Sequence, residues 1–220
     1  MKREDAISYL PYPEQDESVY ISPEGLEEML KNFDPNCPEK GYYWTNDYRT
    51  ELPIFLKKKG LGSIPPKTIG ELWQQVLAKY GDKLALTYEV AEDKWKSLTY
   101  KQYYAESIRF GKACIAHGIT EYSPVMIMGF NSKEWAFTFF GSIFARYIPI
   151  GMYTTNGPET TEYIANHCEG EVVVLEDKVQ LEKYYGIIDK CPKIKYFVLY
   201  NDKIPGNLPA PFKGKVVLWD

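Results

Sequence analysis

The sequence lacks a long hydrophobic run. No apolar stretch in its 220 residues approaches the roughly 20 residues that a membrane-spanning helix needs. The N-terminal segment MKREDAISYLPYPEQDE also lacks the apolar stretch of a secretory signal peptide. Apolar residues make up 45% of the chain and charged residues 25%, as is ordinary for a globular protein in water. These features predict a cytoplasmic protein, and they leave open a peripheral contact with a membrane surface.

The chain has no strong excess of positive charge. Its formal net charge is −4, from 30 acidic and 26 basic side chains. Residues 1–50 carry 11 acidic and 5 basic side chains, and the remainder carries 19 and 21. Nucleic-acid-binding domains usually have a markedly basic surface, so nucleic acid is not predicted as a partner. The short basic run at residues 57–59 is interpreted as a solvated loop, because three lysines contribute little attraction at physiological salt.

Cysteine and histidine are scarce, with four and two residues. No CxxC pair is present and no histidine stands at zinc-finger distance from a cysteine, so no metal site is predicted. Cys114 and Cys168 fall in predicted helices and are interpreted as reduced thiols. His117 and His167 fall near predicted helix ends, where the helix dipole favours a cation, and neither has a nucleophile or carboxylate partner in its motif.

The common phosphate-binding and hydrolase motifs are missing as well. The sequence contains no GxxxxGK[ST], no GxSxG and no HExxH. The pair Gly60 and Gly62 precedes Ser-Ile-Pro-Pro rather than a helix, so it does not fit a dinucleotide-binding turn. No catalytic residue is therefore assigned from the sequence.

The chain divides into two stretches. Residues 1–66 contain scattered prolines and little hydrophobic periodicity, which predicts an irregular N-terminal extension. Residues 67–220 show regular helical and strand patterns, which predict a folded domain. Four capping-box pairs mark predicted helix starts: Thr68/Glu71, Thr99/Gln102, Asn131/Glu134 and Asp177/Gln180. The apolar spacing extends the last of these helices through Ile188, and a fifth helix is predicted over residues 157–168.

Short apolar runs separate these helices. Four are predicted as buried strands: VMIMGF (125–130), YIPIGMY (147–153), EVVVLE (171–176) and KYFVLY (195–200). Strands that alternate with helices predict a mostly parallel sheet with helices on both faces, an α/β fold. Before this unit, KLALTYEV and KWKSLTY predict a hairpin that turns at residues 91–93.

Two segments follow predicted strands at the edge where open α/β sheets bind ligands. The segment GFNSKEW (129–135) forms a strand-to-helix turn whose backbone N–H groups could receive an anion. Residues 153–156 are Tyr153, Thr154, Thr155 and Asn156, which carry more polar groups than a helix cap needs. This 153–156 segment is the candidate lining of a substrate cleft.

Several of these stretches together resemble a known family. SLTYKQY (97–103) resembles the first core motif of the adenylate-forming superfamily, and FARYIPI (144–150) resembles the second, with Arg146 where the family commonly has glycine. GFNSKEW and IGMYTTNGPE are similar to the GFNSPEW and GIYTTSSPE stretches of bubblegum-type long-chain acyl-CoA synthetases. YYWTND and KYGDKLAL (79–86) fit the same subgroup. The resemblance covers residues 42–220 and identifies the chain as the N-terminal part of such a synthetase.

The resemblance implies a two-step ligase reaction. In this family ATP and a long-chain fatty acid give an acyl-adenylate and pyrophosphate, and coenzyme A then displaces AMP. The implied cofactors are ATP, CoA and Mg²⁺, and the implied substrate is a long-chain fatty acid. The sequence does not predict acyl-chain preference or oligomeric state.

The family's chemical motifs are not found in this chain. They are the Ser/Thr/Gly-rich phosphate loop ending in Pro-Lys-Gly, the Tyr-Gly-x-Thr-Glu segment, the ribose-binding aspartate and the C-terminal-domain lysine. The chain is therefore expected to be a fragment that has no ligase activity alone and binds these cofactors poorly. The alternative is a non-catalytic binding or regulatory module derived from the family.

Overall fold

The computed structural model of the protein describes residues 63–219. The predicted extension, residues 1–66, lies almost wholly outside the described residues. Cys37 and the lysines at 57–59 lie outside them as well. The domain boundary at 66/67 stays a prediction. The chain divides into two units, Met1–Thr68 and Ile69–Asp220, and the second unit carries the fold that follows.

The second unit opens with one helix and a hairpin. Helix α1 is Ile69–Tyr80, and strands β1 (Leu84–Ala91) and β2 (Lys94–Thr99) pair antiparallel. Asp93 has φ 57°, and its backbone N–H donates to the Glu89 carboxylate at 2.9 Å. The predicted hairpin and the position of its turn are confirmed.

Strands and helices then alternate along the chain. In order they are α2 (Tyr100–Ala116), β3 (Pro124–Met128), α3 (Lys133–Phe144), β4 (Ile148–Met152), α4 (Pro158–Cys168), β5 (Val172–Leu175), α5 (Lys178–Glu182), β6 (Tyr196–Leu199) and β7 (Val216–Leu218). Single 3₁₀ turns lie at Ile188–Lys190 and Ala210–Phe212. No helix among residues 63–219 is long and apolar enough to cross a bilayer.

Strands β3 to β7 form one parallel sheet in the order β4-β3-β5-β6-β7. Met128 of β3 stands level with Met152 of β4 and Leu175 of β5, so these three strands end together at one edge. Strand β5 is buried throughout, as expected for a strand covered on both faces. The predicted α/β fold with a mostly parallel sheet is confirmed.

Alternate strand residues face two separate cores. Met126, Met128 and Val173 pack with α4, α5 and both 3₁₀ turns. Val125 and Ile127 face the other way and pack with α2 and α3. Helices therefore cover both faces of the sheet, as the sequence predicted.

The helix starts agree with the capping pairs in part. Thr99 and Gln102 form the predicted reciprocal capping box of α2. The prediction that Asn131 caps α3 is wrong: the N-cap is Ser132, whose hydroxyl accepts from the Trp135 N–H at 3.0 Å. Asp177 caps α5 by accepting from the Gln180 N–H. The prediction that this helix extends through Ile188 is also wrong, because α5 ends at Glu182 and turns containing Gly186, a poor helix former, precede the 3₁₀ turn.

Helices α2 and α3 pack closely at a pair of glycines. A Cβ at Gly141 would lie 2.3 Å from the backbone oxygen of Ser107, and one at Gly111 would lie 2.8 Å from the backbone oxygen of Gly141. Ordinary van der Waals contact begins near 3.4 Å, so each position needs a residue without a side chain. This contact holds α3, and with it the turn after β3, close to α2.

A third core cluster is aromatic and joins α1 to the α2–α3 pair. The buried Trp73 of α1 contacts five other rings, with centroids 5.0–6.1 Å away, most of them edge to face. The five rings are Tyr100, Tyr103, Tyr104, Phe140 and Phe144. Such offset and edge-on pairs stabilise beyond simple area burial, which explains part of the high tyrosine content of the chain.

A half-buried carboxylate ties the amino ends of the strands together. Glu171, just before β5, accepts from the N–H and hydroxyl of Thr120, both at 2.8 Å, and from Lys195 at 2.8 Å. Burial alone would raise the pKa of Glu171, but the hydrogen bonds from Lys195 and Thr120 outweigh it and hold the pKa below its ordinary value. This cluster lies opposite the edge where a ligand is expected.

Candidate functional site

The carboxyl edge of the parallel sheet is the candidate site. The chain leaves β3 for β4 on one side and then returns to β5 on the other side of β3. Strand order therefore reverses between β3 and β5, and open α/β sheets bind ligands in the crevice outside such a reversal. Both segments that the sequence singled out, 129–135 and 153–156, lie at this edge.

The 153–156 segment forms a tight turn after β4. The Asn156 N–H donates to the Tyr153 carbonyl at 3.1 Å, which closes the turn. The Lys183 ammonium donates to the Thr154 carbonyl. Tyr153 is 80% exposed, and within residues 63–219 no hydrogen-bond partner is found for the side chains of Thr154, Thr155 or Asn156. Two hydroxyls and one carboxamide are therefore free to bind a ligand here.

The turn after β3 is held by groups that follow β5 and β6. The Phe130 N–H donates to the Glu176 carboxylate at 2.8 Å. A Cβ at Gly129 would lie 2.0 Å from the Tyr200 hydroxyl, so glycine is what lets this phenol sit against the turn. The Phe130 and Trp135 N–H groups thus already have acceptors within the protein, and they are not available to the anion that the sequence suggested.

Charged and phenolic side chains gather beside this turn. Lys133 pairs with the buried carboxylate of Glu134 and lies over the ring of Tyr88, 5.1 Å from its centroid. Burial raises the pKa of the Tyr200 phenol, a hydrogen bond with Ser132 opposes this, and the nearby carboxylates of Glu176 and Glu134 raise the pKa further. Tyr200 is therefore a neutral hydrogen-bonding group near pH 7.

These side chains line an open pocket of about 690 Å³ between the sheet edge and the β1–β2 hairpin. Its lining includes Asn131, Ser132, Lys133, Glu134, Glu176, Tyr200 and Asn201 on the sheet side. The 153–156 segment does not line it. The sequence interpretation missed Glu176, Tyr200 and Asn201, although Glu176 directly follows β5 and the other two are the first two residues after β6.

An apolar groove of about 600 Å³ lies away from this edge, between α2 and strands β6 and β7. Most of its lining is apolar, and Arg109 at its margin is paired with Glu106 at 2.6 Å. Its lining includes Arg109, Cys114 and His117, but the groove lies away from the strand-order reversal, so the carboxyl edge is the better candidate for a reaction site.

The comparisons with known proteins match the fold and the motifs. Residues 72–216, more than half of the chain, match the family of AMP-binding enzymes. The chain belongs to this family. The resemblance to bubblegum-type long-chain acyl-CoA synthetases is confirmed by the similarity of this chain to ACSBG1 and ACSBG2.

Two of these relatives are named long-chain-fatty-acid–CoA ligases. ACSBG2 of Xenopus laevis is 36% identical over 172 residues, which are 78% of this chain and 23% of that protein. ACSBG1 of Homo sapiens is 35% identical over 184 residues, 83% of this chain and 25% of that protein. The chain thus spans about a quarter of the length of the AMP-binding relatives it matches.

Solved structures of AMP-binding enzymes share the fold. The anthranilate CoA ligase AuaEII, in complex with anthranoyl-AMP, superposes with a TM-score of 0.53 at 23% identity, over 59% of this chain and 24% of that chain. The adenylation domain of a carboxylate reductase from Mycobacterium chelonae gives a TM-score of 0.53 at 17% identity, over 62% of this chain and 23% of that chain. Their likeness shows the shared architecture.

The role of the predicted site residues stays a prediction. The structure brings Tyr153, Thr154, Thr155 and Asn156 to the carboxyl edge, and the comparisons assign them no function. Within residues 63–219, no group of three or more His, Cys, Asp or Glu side chains could hold a metal ion. No disulfide joins Cys114, Cys168 and Cys191.

Proposed function

We propose that this chain forms part of the N-terminal domain of an ATP-dependent long-chain fatty acid–CoA ligase. The proposal is supported by its homology to ACSBG1 and ACSBG2 at 35% and 36% identity. It is also supported by the parallel sheet, whose carboxyl edge, at a strand-order reversal, carries polar side chains that have no hydrogen-bond partner among residues 63–219. In this proposal the substrates are ATP, a long-chain fatty acid and CoA. The protein is cytoplasmic, and its contact with a membrane surface is left open.

The proposed reaction activates a carboxylate in two steps. The fatty acid carboxylate first attacks the α-phosphate of ATP, forming an acyl-adenylate and releasing pyrophosphate. The CoA thiol then attacks the acyl carbon, forming the thioester and releasing AMP. An enzyme accelerates such steps chiefly by positioning the charged reactants and stabilising charge that develops on phosphate and carbonyl oxygens.

In this reaction the 153–156 segment is the proposed contribution of this chain to the substrate cleft. The hydroxyls of Thr154 and Thr155 and the amide of Asn156 can donate hydrogen bonds to carboxylate or phosphate oxygens. Because these groups have no partner within residues 63–219, a ligand can orient them without breaking a hydrogen bond to that part of the chain. No residue of this chain is assigned to a covalent or proton-transfer step.

Mg²⁺ belongs to the proposal only through the family. Its preferred ligands are carboxylate and phosphate oxygens, and the described residues offer no grouping of three or more acidic side chains to hold it. No Mg²⁺ ligand is therefore assigned within residues 63–219. The chain alone is proposed to be inactive, because the segment that it matches makes up only 23–25% of the length of these relatives.

The apolar groove argues only against a monomeric form of the alternative, the non-catalytic binding or regulatory module derived from the family; a module that binds a partner over the groove is consistent with it. The groove is lined by Val216, Val217 and Leu218, of which Val216 is buried and Leu218 is 43% exposed. A module that stays monomeric would leave this apolar surface in water, which is unfavourable in proportion to its area.

A chimera tests the role of the 153–156 segment. In it, the matched segment of Xenopus laevis ACSBG2 is replaced by the matched residues of this chain. Thr154→Val and Thr155→Val are then introduced together into this chimera. The double substitution keeps the side-chain shape and removes two hydroxyls. We expect kcat/KM for palmitate to fall about tenfold, the loss of about one hydrogen bond to a charged group.

Thr160→Val is the matched control, because Thr160 is exposed on α4 beyond the segment. Acyl-CoA formation is measured at varied palmitate concentration for all three proteins. If the double variant has the same kcat/KM as the Thr160→Val control, the segment does not line the cleft.

A further inference from the structure

The 153–156 segment is held at two points by consecutive residues of another element. The Lys183 ammonium donates to the Thr154 carbonyl in the middle of the turn. The hydroxyl of Tyr184 lies 3.8 Å from the sulfur of Met152, the last residue of β4 before the turn. Both anchors come from residues about 30 positions later in the chain, so the turn is fixed by tertiary contacts as well as by its own backbone.

The position of Lys183 is itself well defined. It is the C-cap of α5, and it stands between the buried residues Leu181 and Tyr184, which form part of the sheet's core. The Lys183 side chain is half-buried, and burial lowers its pKa, while the carboxylate of Asp177 opposes that shift. The fixed backbone limits the positions that the ammonium can reach, and the hydrogen bond must offset the rotamer entropy that the long lysine side chain loses.

We infer that Lys183 is a positioning residue that preorganises the 153–156 segment by binding the Thr154 carbonyl. Its relevance to fatty acid activation rests on the proposed function, but the clamp itself does not. The closing bond between Asn156 and Tyr153 is internal to the turn, whereas the bond from Lys183 joins the turn to another element. Without the clamp, the turn can open locally, and the backbone that carries its three polar side chains is no longer fixed to α5.

Lys183→Met isolates the hydrogen bond from the packing of the side chain. Methionine keeps most of the unbranched stem and removes the donor. We expect the Asn156 amide, which closes the turn, to exchange with solvent roughly tenfold faster in the variant, as measured by NMR-detected hydrogen exchange on the 220-residue chain. The carbonyl ¹³C resonance of Thr154 should shift in the same variant, because its hydrogen bond is lost.

Two further variants separate a clamp from a general loss of stability. Lys183→Arg keeps a donor and should retain slow Asn156 exchange, and Lys178→Met, on an exposed residue of the same helix, should leave it unchanged. Exchange of the Val173 amide in β5 serves as the internal reference. The inference requires that the Asn156 exchange rate rises in Lys183→Met while the Val173 exchange rate stays the same.

Parent-like Asn156 exchange in Lys183→Met would overturn the inference, as would an equal acceleration at Asn156 and Val173. Neither readout depends on catalysis. An inactive chimera with an intact clamp would therefore count against the proposed function alone, and an active chimera without a clamp would count against this inference alone.

Discussion

We expect Gly141→Ala to lower the free energy of unfolding by about 1–2 kcal/mol, as measured by urea denaturation of the purified chain. The added Cβ would lie 2.3 Å from the Ser107 oxygen and 3.1 Å from a ring carbon of Phe110. Alanine normally gains about 1 kcal/mol over glycine inside a helix, but overpacking costs about 1–3 kcal/mol. The cost prevails here because the obstructing atom is backbone of α2, which cannot rotate away as a side chain can.

Gly186→Ala is the control for this substitution. A Cβ added at Gly186 would meet no atom of the described residues within 4 Å, and the φ of Gly186 is not in the left-handed region. Its unfolding free energy should stay within about 0.5 kcal/mol of the parent. A Gly141→Ala protein as stable as the parent would show that α2 and α3 do not pack as described.

We expect Glu171→Gln to lower the free energy of unfolding at pH 7 by about 2 kcal/mol, because it weakens the charge-assisted hydrogen bonds from Lys195 and Thr120. The effect depends on pH. The folded-state pKa of Glu171 lies below its ordinary value of 4.5, so its contribution is fully present above that value. It is lost as the pH falls from there through the folded-state pKa. The stabilities of parent and variant should therefore converge in acid.

Glu169→Gln provides the matched comparison two residues away. The Glu169 side chain is 69% exposed and its oxygen lies 3.8 Å from the Lys193 ammonium, a separation at which an exposed pair contributes little. Urea denaturation of both variants between about pH 3 and pH 7 measures the difference. A Glu171→Gln deficit that is equal at all pH values would contradict the assigned hydrogen bonds.

Local patterns in the sequence predicted much of the fold. The apolar runs around Val125 and Val173 located the central strands, since a strand buried on both faces has no alternation to misjudge. The box of Thr99 and Gln102 predicted the start of α2 correctly. The sequence pattern does not separate Asn131 from Ser132 as the cap of α3, because both residue types cap helices well and one position of difference leaves the helical periodicity almost unchanged.

The candidate site was harder to predict, because its parts come from different strands. The close approach of Gly129 and Tyr200 depends on the register of β3, β5 and β6, and strand register is not visible in local sequence. The clamp from Lys183 to Thr154 likewise joins two turns that only the fold brings together. The polar 153–156 segment could be selected because its own composition exceeds what a helix cap needs.

Palmitoyl-CoA formation by the ACSBG2 chimera decides whether residues of this chain can serve in a fatty acid–CoA ligase. The assay supplies palmitate, ATP, Mg²⁺ and CoA, and it compares the chimera with Xenopus laevis ACSBG2 and with the 220-residue chain alone. We expect the chimera to form palmitoyl-CoA and AMP in equal amounts and the chain alone to form neither. A chimera that melts as cooperatively as an ACSBG2 sample measured beside it, yet forms no palmitoyl-CoA, would contradict the assignment of this chain to a fatty acid–CoA ligase.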